Sequence, residues 1–297
     1  MHLVRAYSKI NLFLDIVGKR PDGYHDIKTI FQSVDLYDVL KFKESDKTSF
    51  TISDKTIPLD KTNTVCKAVA LFSERIKERN GKVQNFEISI EKKTPAGAGM
   101  GGGSSDGAAA LRFLNYYHSN PFAENELEEM ALKIGADTVF LLKGGLAIGE
   151  NLGEKLEYFD YPQTEDLFLA VVYPNVHIST KWAYDNCSKY LTNDKKYYNI
   201  NSLKKDFNEF IGSLKFSYNV FEELVYKNYP RLKDIKNKLE SKRPILSMMT
   251  GSGSAIYALF DNSEVFESIK KEFGGNNLIF TTPITQQRIS DQFLTKL

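Results

Sequence analysis

Hydrophobic residues in the first half of the chain follow both strand and helix periods. Residues 3–18 are predicted to form a strand, because Leu12, Leu14 and Ile16 alternate with other residues. An apolar stripe at helical spacing predicts a helix over residues 63–80, and its members are Val65, Ala68, Val69, Phe72 and Ile76. The other strands predicted in this half are residues 26–43, 48–57, 85–90 and 143–148, and the other helices are residues 108–114 and 125–134.

The pattern changes after a polar stretch at residues 154–166. The strands predicted beyond it are residues 167–173, 245–249, 255–260 and 278–284, the helices are 180–187, 221–228, 231–240 and 263–273, and residues 189–213 are a loop or weak helix. This order of strand, helix, two strands, helix and strand is that of a ferredoxin-like unit. We expect an α+β fold with domains at residues 1–160 and 161–297.

Glycine dominates the stretch that follows the predicted strand at residues 85–90. Six glycines fall within eleven residues, and a Ser-Ser-Asp sequence then leads into an alanine-rich helical run. Glycine lets a ligand approach the backbone amides, and a turn that opens a helix gathers unpaired N–H donors at the positive end of the helix dipole. The stretch therefore predicts phosphate binding by residues 97–105.

Known phosphate motifs fit this stretch incompletely. A Walker loop needs a lysine where Gly103 stands. Gly97, Gly99 and Gly102 match the dinucleotide fingerprint, yet a second helix follows instead of a strand that ends in an acid about 20 residues later. A flexible, ligand-free hinge is the remaining alternative, and the proline, the capping residues and the amphipathic helix in register speak against it.

Three further positions are candidates for chemistry, each with a structural alternative. Lys9 and Asn11 point to the same face of their strand, and this stretch alone favours an exposed edge strand with polar outer residues. Tyr24 and His25 leave a Pro-Asp-Gly turn, where they could bind a flat ring or form a surface pair. Asp137 follows a predicted helix C-cap, where a carboxylate gains nothing from the helix dipole, so it is either a turn residue or a catalytic group.

Composition excludes several classes of function. A net charge of +1 gives no bulk attraction to nucleic acid or an acidic membrane. The two cysteines, Cys66 and Cys187, form no Cys-x-x-Cys pair, so we expect buried free thiols in a reducing compartment instead of a zinc site or disulfide. No signal-peptide core or membrane-length apolar run is present, and we expect a cytoplasmic protein.

Two glycine-rich turns, residues 97–103 and 251–253, lie in different halves of the chain. Clefts between domains are common ligand sites, so we expect both turns to border one cleft. Three separated motifs then agree, namely KINL at residues 9–12 with GKRPDGYH at 18–25, PAGAGMGGGSSD at 95–106, and TGSGS at 250–254. In this order the chain resembles the GHMP kinase superfamily, and the first motif resembles the branch whose substrate carries a cytidyl diphosphate.

The resemblance implies an N-terminal domain like ribosomal protein S5 domain 2, a ferredoxin-like C-terminal domain, and ATP-dependent phosphorylation of a hydroxyl on a small cytidyl diphosphate polyol in isoprenoid synthesis. It assigns catalysis to Lys9 and Asp137. It assigns the nucleotide to Asn63, Lys92, Pro95, Ala96, Gly97, Ala98, Gly99, Met100, Gly101, Gly102, Gly103, Ser104 and Ser105. It assigns the substrate to Asn11, Tyr24, His25, Thr180 and Tyr184, with Tyr184 as a possible second face of a cytosine sandwich. Mg²⁺ would accompany ATP, with a serine of the Ser104-Ser105 pair as its ligand.

The chain departs from the family at two places, and a third position raises a question of charge. Thr138-Val139 replaces the usual Val-Pro after the catalytic aspartate, and Gly107 replaces an alanine. Asp106, which belongs to the matching motif, would repel a triphosphate unless it faces solvent or a metal. Rival functions are a superfamily kinase for mevalonate, homoserine or a sugar, and a non-catalytic nucleotide-binding module on the same fold.

Overall fold

The computed structural model describes residues 1–190, 206–274, 278–286, 289 and 295–296. The strands of this part of the chain are β1 (His2–Lys19), β2 (His25–Ser45), β3 (Ser49–Ile52), β4 (Asn85–Glu91), β5 (Leu146–Asn151), β6 (Lys155–Phe159), β7 (Phe168–Val172), β8 (Leu246–Met249), β9 (Ile256–Phe260), β10 (Leu278–Thr281) and β11 (Thr295–Lys296). The helices are α1 (Thr64–Glu78), α2 (Gly102–Tyr117), α3 (Glu124–Ile134), α4 (Ala136–Lys143), α5 (Thr180–Asn186), α6 (Phe207–Ser213), α7 (Glu222–Asn228), α8 (Pro230–Glu240) and α9 (Val265–Phe273).

The first sheet has the order β11-β1-β2-β4-β3, and β5 and β6 extend it from β2. Strands β1 and β2 pair antiparallel along most of their length. Helices α1 and α2 pack on this sheet over a core that includes Phe42, Phe72 and Phe113. The apolar stripe predicted for α1 accounts for its buried side, and Asn63 caps the helix by accepting a hydrogen bond from the Val65 amide at 2.9 Å.

The second sheet has the order β10-β7-β9-β8, with every pairing antiparallel. If the four strands are numbered 1 to 4 in chain order, starting with β7, their order across the sheet is 4-1-3-2. This is the strand order of a ferredoxin-like sheet. The predicted order of elements in this half is therefore confirmed, as is the α+β fold class. A separate apolar cluster joins Ile10 and Phe13 of β1 to Tyr257 of β9, so the two sheets share a packed interface.

Two elements of the first half were not predicted. Residues 136–143 form α4, because Gly135, with φ 171° and ψ 153°, ends α3 and begins the next helix at once. The strand predicted at residues 143–148 therefore starts later, at Leu146. Strand β6 lies within the polar stretch at residues 154–166 that was interpreted as a domain boundary. It reads as polar because it is an edge strand whose exposed positions, Lys155 and Glu157, alternate with less exposed ones.

The chain returns to the first sheet at its end. Strand β11 pairs with β1, and Pro283 forms a bridge with Val34 of β2. We propose to keep the division at residues 1–160 and 161–297, with this C-terminal stretch packed on the first domain. Of the 189–213 prediction, residues 191–205 lie outside the described residues, and the last part forms α6.

Candidate active site

A cleft of about 1200 Å³ is lined by residues from both halves of the chain. The residues predicted for nucleotide, substrate and catalysis line it with one exception, Ser105. The Ser105 side chain is 2% exposed and donates to the backbone oxygen of Tyr7 at 2.5 Å, because the first turn of α2 turns this hydroxyl toward β1. Ser105 thus fixes α2 to the sheet and does not offer its hydroxyl to a ligand, whereas Ser104 faces the cleft.

The glycine loop, defined as residues 97–103, leads directly into α2. Gly97, Gly99 and Gly101 all have φ between 69° and 79°, a left-handed conformation that favours glycine. Gly101 is the N-cap of the 16-residue helix, and no side chain caps this end. The start of α2 therefore directs backbone N–H groups and the positive end of its dipole toward the cleft, which suits a phosphate.

The glycine turn, defined as residues 250–254, packs backbone to backbone on the glycine loop. Thr250 Oγ1 donates to the Gly99 oxygen at 3.2 Å, and the Ala255 amide donates to the Ala98 oxygen at 3.1 Å. A Cβ on Gly99 would overlap the Thr250 oxygen and would lie 3.2 Å from the Gly253 oxygen. Only a glycine fits this contact. Residues of the glycine loop and of the glycine turn line the same cleft, so the expectation that both turns border one cleft is confirmed.

Lys9 and Asp137, 128 positions apart in sequence, meet beside the glycine loop. Lys9 Nζ lies 3.4 Å from Asp137 Oδ2 and donates to Asn11 Oδ1 at 2.8 Å. The Lys9 side chain is 4% exposed and that of Asp137 is 37% exposed, so the carboxylate faces the cleft while the ammonium group lies behind it. The Lys9 amide also donates to the Met100 oxygen at 3.0 Å, which fixes the lysine to the loop.

Two interpretations of these residues from sequence were wrong. The Lys9 amide donates to the Met100 oxygen of the glycine loop and the Asn11 amide donates to Thr250 Oγ1 of the glycine turn, so Lys9 and Asn11, 3% and 2% exposed, are buried and do not lie on an exposed edge. Asp137 lies in the first turn of α4, where a carboxylate is stabilised by the helix dipole. The earlier inference that Asp137 gains nothing from a dipole assumed that no helix begins at Gly135.

Lys92 reaches the cleft but is already paired. Its ammonium group forms ion pairs with Asp38 and with Asp106, the latter at 2.6 Å. Asp38 Oδ1 also accepts from the Lys93 and Thr94 amides at 2.5 and 2.8 Å, so this carboxylate supports the chain just before the glycine loop. Asp106 is therefore paired with a lysine and is 4% exposed, and burial raises its pKa to about 8.

Sequence reasoning missed Asp38. Its side chain is completely buried, and it lies on the same face of β2 as Leu40 and Phe42. A charged residue at an apolar position of a strand is the signal that could have identified it, because such a residue needs a buried partner.

Aromatic side chains line the end of the cleft for which substrate binding was predicted. Tyr24 is 64% exposed, on a turn in which the Arg20 amide donates to the Tyr24 oxygen at 2.8 Å. The His25 ring stacks on Tyr184 with centroids 5.3 Å apart and planes 28° apart, and burial together with nearby Lys19 lowers the pKa of His25. Burial and nearby Asp137 raise the pKa of Tyr184, and both residues line the cleft.

Thr180 and Asn63 have partners inside the protein. Thr180 Oγ1 and Ser252 Oγ are 3.1 Å apart, which joins α5 to the glycine turn. Asn63 Oδ1 caps α1, and its Nδ2 donates to the Pro58 oxygen at 2.9 Å. Any contact between Asn63 and a nucleotide would therefore use a side chain that already fixes the start of α1.

Other sequence-based expectations have mixed outcomes. Cys187 is buried as expected, but Cys66 is half-buried, because it lies on the side of α1 between its apolar stripe and solvent. No helix in the described ranges is long and apolar enough to cross a membrane. The same residues contain no cluster of three or more histidine, cysteine or acidic side chains arranged to hold a metal.

Two family models match the chain. The GHMP kinases N terminal domain matches residues 63–145, and the GHMP kinases C terminal model matches residues 199–277. The first match contains the glycine loop and Asp137.

Curated relatives resemble the chain over most of its length. A 4-diphosphocytidyl-2-C-methyl-D-erythritol kinase of Persephonella marina is 39% identical over 261 residues, which cover 87% of this chain and 91% of the relative. The enzyme of the same name from Chlorobium chlorochromatii is 35% identical over 270 residues, which cover 90% and 91%.

Solved structures agree in fold. A crystal structure of 4-(cytidine 5'-diphospho)-2C-methyl-D-erythritol kinase has a TM-score of 0.76 at 23% identity, covering 95% of this chain and 98% of that one. A mevalonate kinase structure has a TM-score of 0.71 at 16% identity, covering 96% and 100%. At these identities the two structures establish the shared fold alone.

Proposed function

The chain belongs to the GHMP kinase family and, within it, to the 4-diphosphocytidyl-2-C-methyl-D-erythritol kinases, and we propose that Lys9 and Asp137 carry out its phosphoryl transfer. It is a kinase that transfers phosphate from ATP to an alcohol group, the 2-hydroxyl of the cytidyl substrate, in the non-mevalonate isoprenoid pathway. The observation that carries the residue assignment is the 3.4 Å separation of Lys9 Nζ and Asp137 Oδ2 beside the start of α2.

Each group has a distinct task in the proposed mechanism. The amides of the glycine loop bind the ATP phosphates, so that the γ-phosphate lies next to Lys9. Asp137, on the cleft side of the pair, accepts the proton of the attacking hydroxyl. Lys9, 3.4 Å from that carboxylate, balances the charge that develops on the transferred group. The enzyme needs little covalent chemistry, since positioning and charge supply most of the catalysis of phosphoryl transfer.

Magnesium fits the site as an ion that ATP brings with it. Mg²⁺ keeps several waters and is usually held by substrate phosphates with one or two protein oxygens. Ser104 lines the cleft at the start of α2 and would hold the ion, whereas Ser105 is bonded to Tyr7. When bound, the ion would neutralise charge on the β- and γ-phosphates.

Recognition of the cytidyl group is proposed for the aromatic end of the cleft, defined as Tyr24, His25 and Tyr184. The exposed Tyr24 ring has a face available for stacking on cytosine, and His25, held against Tyr184, would hydrogen-bond the base. Thr180 and Asn11 are proposed to help shape the polyol site. We further propose a cytoplasmic location, because the reaction consumes ATP.

A substrate comparison tests the function. The purified chain is incubated with ATP, Mg²⁺ and, in separate reactions, 4-diphosphocytidyl-2-C-methyl-D-erythritol, mevalonate, homoserine and galactose. We expect a phosphorylated product, identified by mass spectrometry and phosphorus NMR, from the cytidyl substrate. Comparable turnover of mevalonate, homoserine or galactose, or ATP binding without any transfer, would contradict the proposal.

A further inference from the structure

The Asn11 carboxamide connects the catalytic lysine to the second domain. Its Oδ1 accepts hydrogen bonds from Lys9 Nζ at 2.8 Å and from the Gly251 amide at 3.0 Å. Both partners are donors, so the carbonyl oxygen of Asn11 must be the atom that faces them. One buried amide oxygen thus fixes the ammonium group and the glycine turn at the same time.

Thr29 of β2 holds the other side of this amide. Asn11 Nδ2 donates to Thr29 Oγ1 at 2.7 Å, and Thr29 Oγ1 donates to the Phe13 backbone oxygen at 2.6 Å. A hydroxyl has one proton, and a carbonyl can only accept, so the Thr29 proton goes to Phe13. Thr29 Oγ1 must therefore accept a hydrogen bond from Asn11 Nδ2. The same orientation of the Asn11 amide directs its Oδ1 toward Lys9.

These bonds form a chain in which every donor points the same way, from Lys9 through Asn11 and Thr29 to Phe13. Hydrogen bonds aligned in this manner polarise and strengthen one another in a buried site. Thr29 is completely buried and lies in the middle of the first sheet, paired with Leu14 of β1 and Gly149 of β5. The chain is therefore anchored in a rigid part of the fold.

We propose that Thr29 is a positioning residue for the phosphoryl transfer, acting on Lys9 through Asn11. Lys9 Nζ lies closer to Asn11 Oδ1 than to Asp137 Oδ2, at 2.8 against 3.4 Å, so the amide sets where the ammonium group rests. Without the Thr29 hydroxyl, the buried Nδ2 loses its acceptor and the amide turns toward another one, which displaces Lys9. This inference rests on the proposed function.

The test compares two substitutions that differ by the hydroxyl. Thr29→Val keeps the shape and the branched Cβ but removes the hydroxyl, whereas Thr29→Ser keeps the hydroxyl and removes the methyl group. Since small displacements of catalytic groups cost up to about 100-fold, we expect kcat of Thr29→Val to fall roughly 10- to 100-fold, with the KM for ATP little changed. Thr29→Ser is expected to restore most of kcat, and Thr51→Val, on the exposed side of β3, serves as the control.

Several outcomes would overturn the inference. A Thr29→Val enzyme with wild-type kcat, or a Thr29→Ser enzyme as slow as Thr29→Val, would exclude the hydroxyl as the cause. If Thr29→Val does not fold, the side-chain amide protons of Asn11 are followed by NMR in the wild-type chain. Slow exchange with water is expected, and exchange as fast as that of an exposed asparagine would contradict the bond to Thr29. A wild-type chain that does not phosphorylate the cytidyl substrate would refute the proposed function instead.

Discussion

The glycine loop and the residue before it accept hydrogen bonds from three other parts of the chain, whereas the bonds that shape the turn around Tyr24 run between residues 20–26. Lys9, Tyr173, Thr250 and Ala255 all bond to backbone oxygens of residues 96–100. The Lys92 ion pairs with Asp38 and Asp106 lie directly behind the loop. Tyr24 at the other end is 64% exposed.

We attribute this difference to the roles proposed for the two regions, phosphoryl transfer at the glycine loop and base recognition at the aromatic end of the cleft. Phosphoryl transfer depends on fixed distances between the phosphate, the acceptor and the charged groups, so its machinery is held before the substrates bind. Stacking on a base uses the face of a ring and tolerates small shifts. We therefore expect substitutions at the glycine loop to lower kcat or stability, and substitutions at the aromatic end to raise the KM of the cytidyl substrate.

The largest effect is expected from Asp137→Asn. The amide keeps the shape but cannot take the proton, and losing a general base costs about 10²- to 10⁴-fold in rate. We expect kcat to fall by that order in a coupled assay, with ATP affinity by calorimetry nearly unchanged. Asp234→Asn, on the exposed side of α8, is the matched control. Near-normal turnover by Asp137→Asn would remove this residue from the mechanism.

Gly99→Ala tests how tightly the two glycine segments are packed. The new Cβ would overlap the Thr250 oxygen at a φ of 79°, so we expect a loss of about 3 kcal/mol in the free energy of unfolding, measured with urea, and weaker ATP binding. Gly212→Ala is the control, because nothing lies within 4 Å of a Cβ at that glycine. Equal stabilities for the two variants would mean that the loop is not held by the turn.

Tyr24→Ala tests the aromatic end of the cleft. Stacking of a base on an aromatic ring contributes about 1–3 kcal/mol, so the KM for the cytidyl substrate should rise roughly 5- to 100-fold while kcat and the KM for ATP change little. Tyr116→Ala, at an exposed position outside the cleft, is the control. An unchanged KM in the Tyr24 variant would exclude it from base recognition.

The smallest effect concerns Asp106 and pH. Its folded-state pKa of about 8 lies above the ordinary value of 3.8, so the folded chain keeps a proton that the unfolded chain releases. The stability due to this proton is complete below pH about 4 and is lost as pH rises through 8. Relative to Asp106→Asn, the wild-type free energy of unfolding should therefore fall as pH rises from 5 to 8.

Asp46→Asn, at an exposed position, is the control for that titration. A constant difference between wild type and Asp106→Asn from pH 5 to 8 would show that Asp106 stays ionised beside Lys92.

Most of the fold could be predicted because hydrophobic periodicity and turn-forming residues are properties of short stretches of sequence. The ferredoxin-like order, the helix after Asn63 and the glycine loop all follow from short patterns. Helix α4 could not be predicted, since one glycine both ends α3 and begins α4. The burial of Lys9 was misjudged because this part of β1 is covered by the glycine loop and the glycine turn, at Met100 and Thr250, which lie far away in the sequence.

The residues of the site could be predicted to a similar extent. Motif spacing identified residues that do line one cleft, but it could not show which of them are already bonded within the protein. Ser105, Lys92 and Asn11 have buried partners that lie far along the chain, at Tyr7, Asp38 and Gly251. Such partners become visible once the sheets are assembled.

The central claim is that Lys9 and Asp137 act as one unit beside the glycine loop. The most direct measurement is a double-mutant cycle of kcat with Lys9→Met, Asp137→Asn and the double variant, on ATP and the cytidyl substrate. Residues that act as a unit give strongly non-additive losses, so the double variant should be about as slow as the slower single variant. Losses that multiply in the double variant would show that the two residues act independently and would contradict the account.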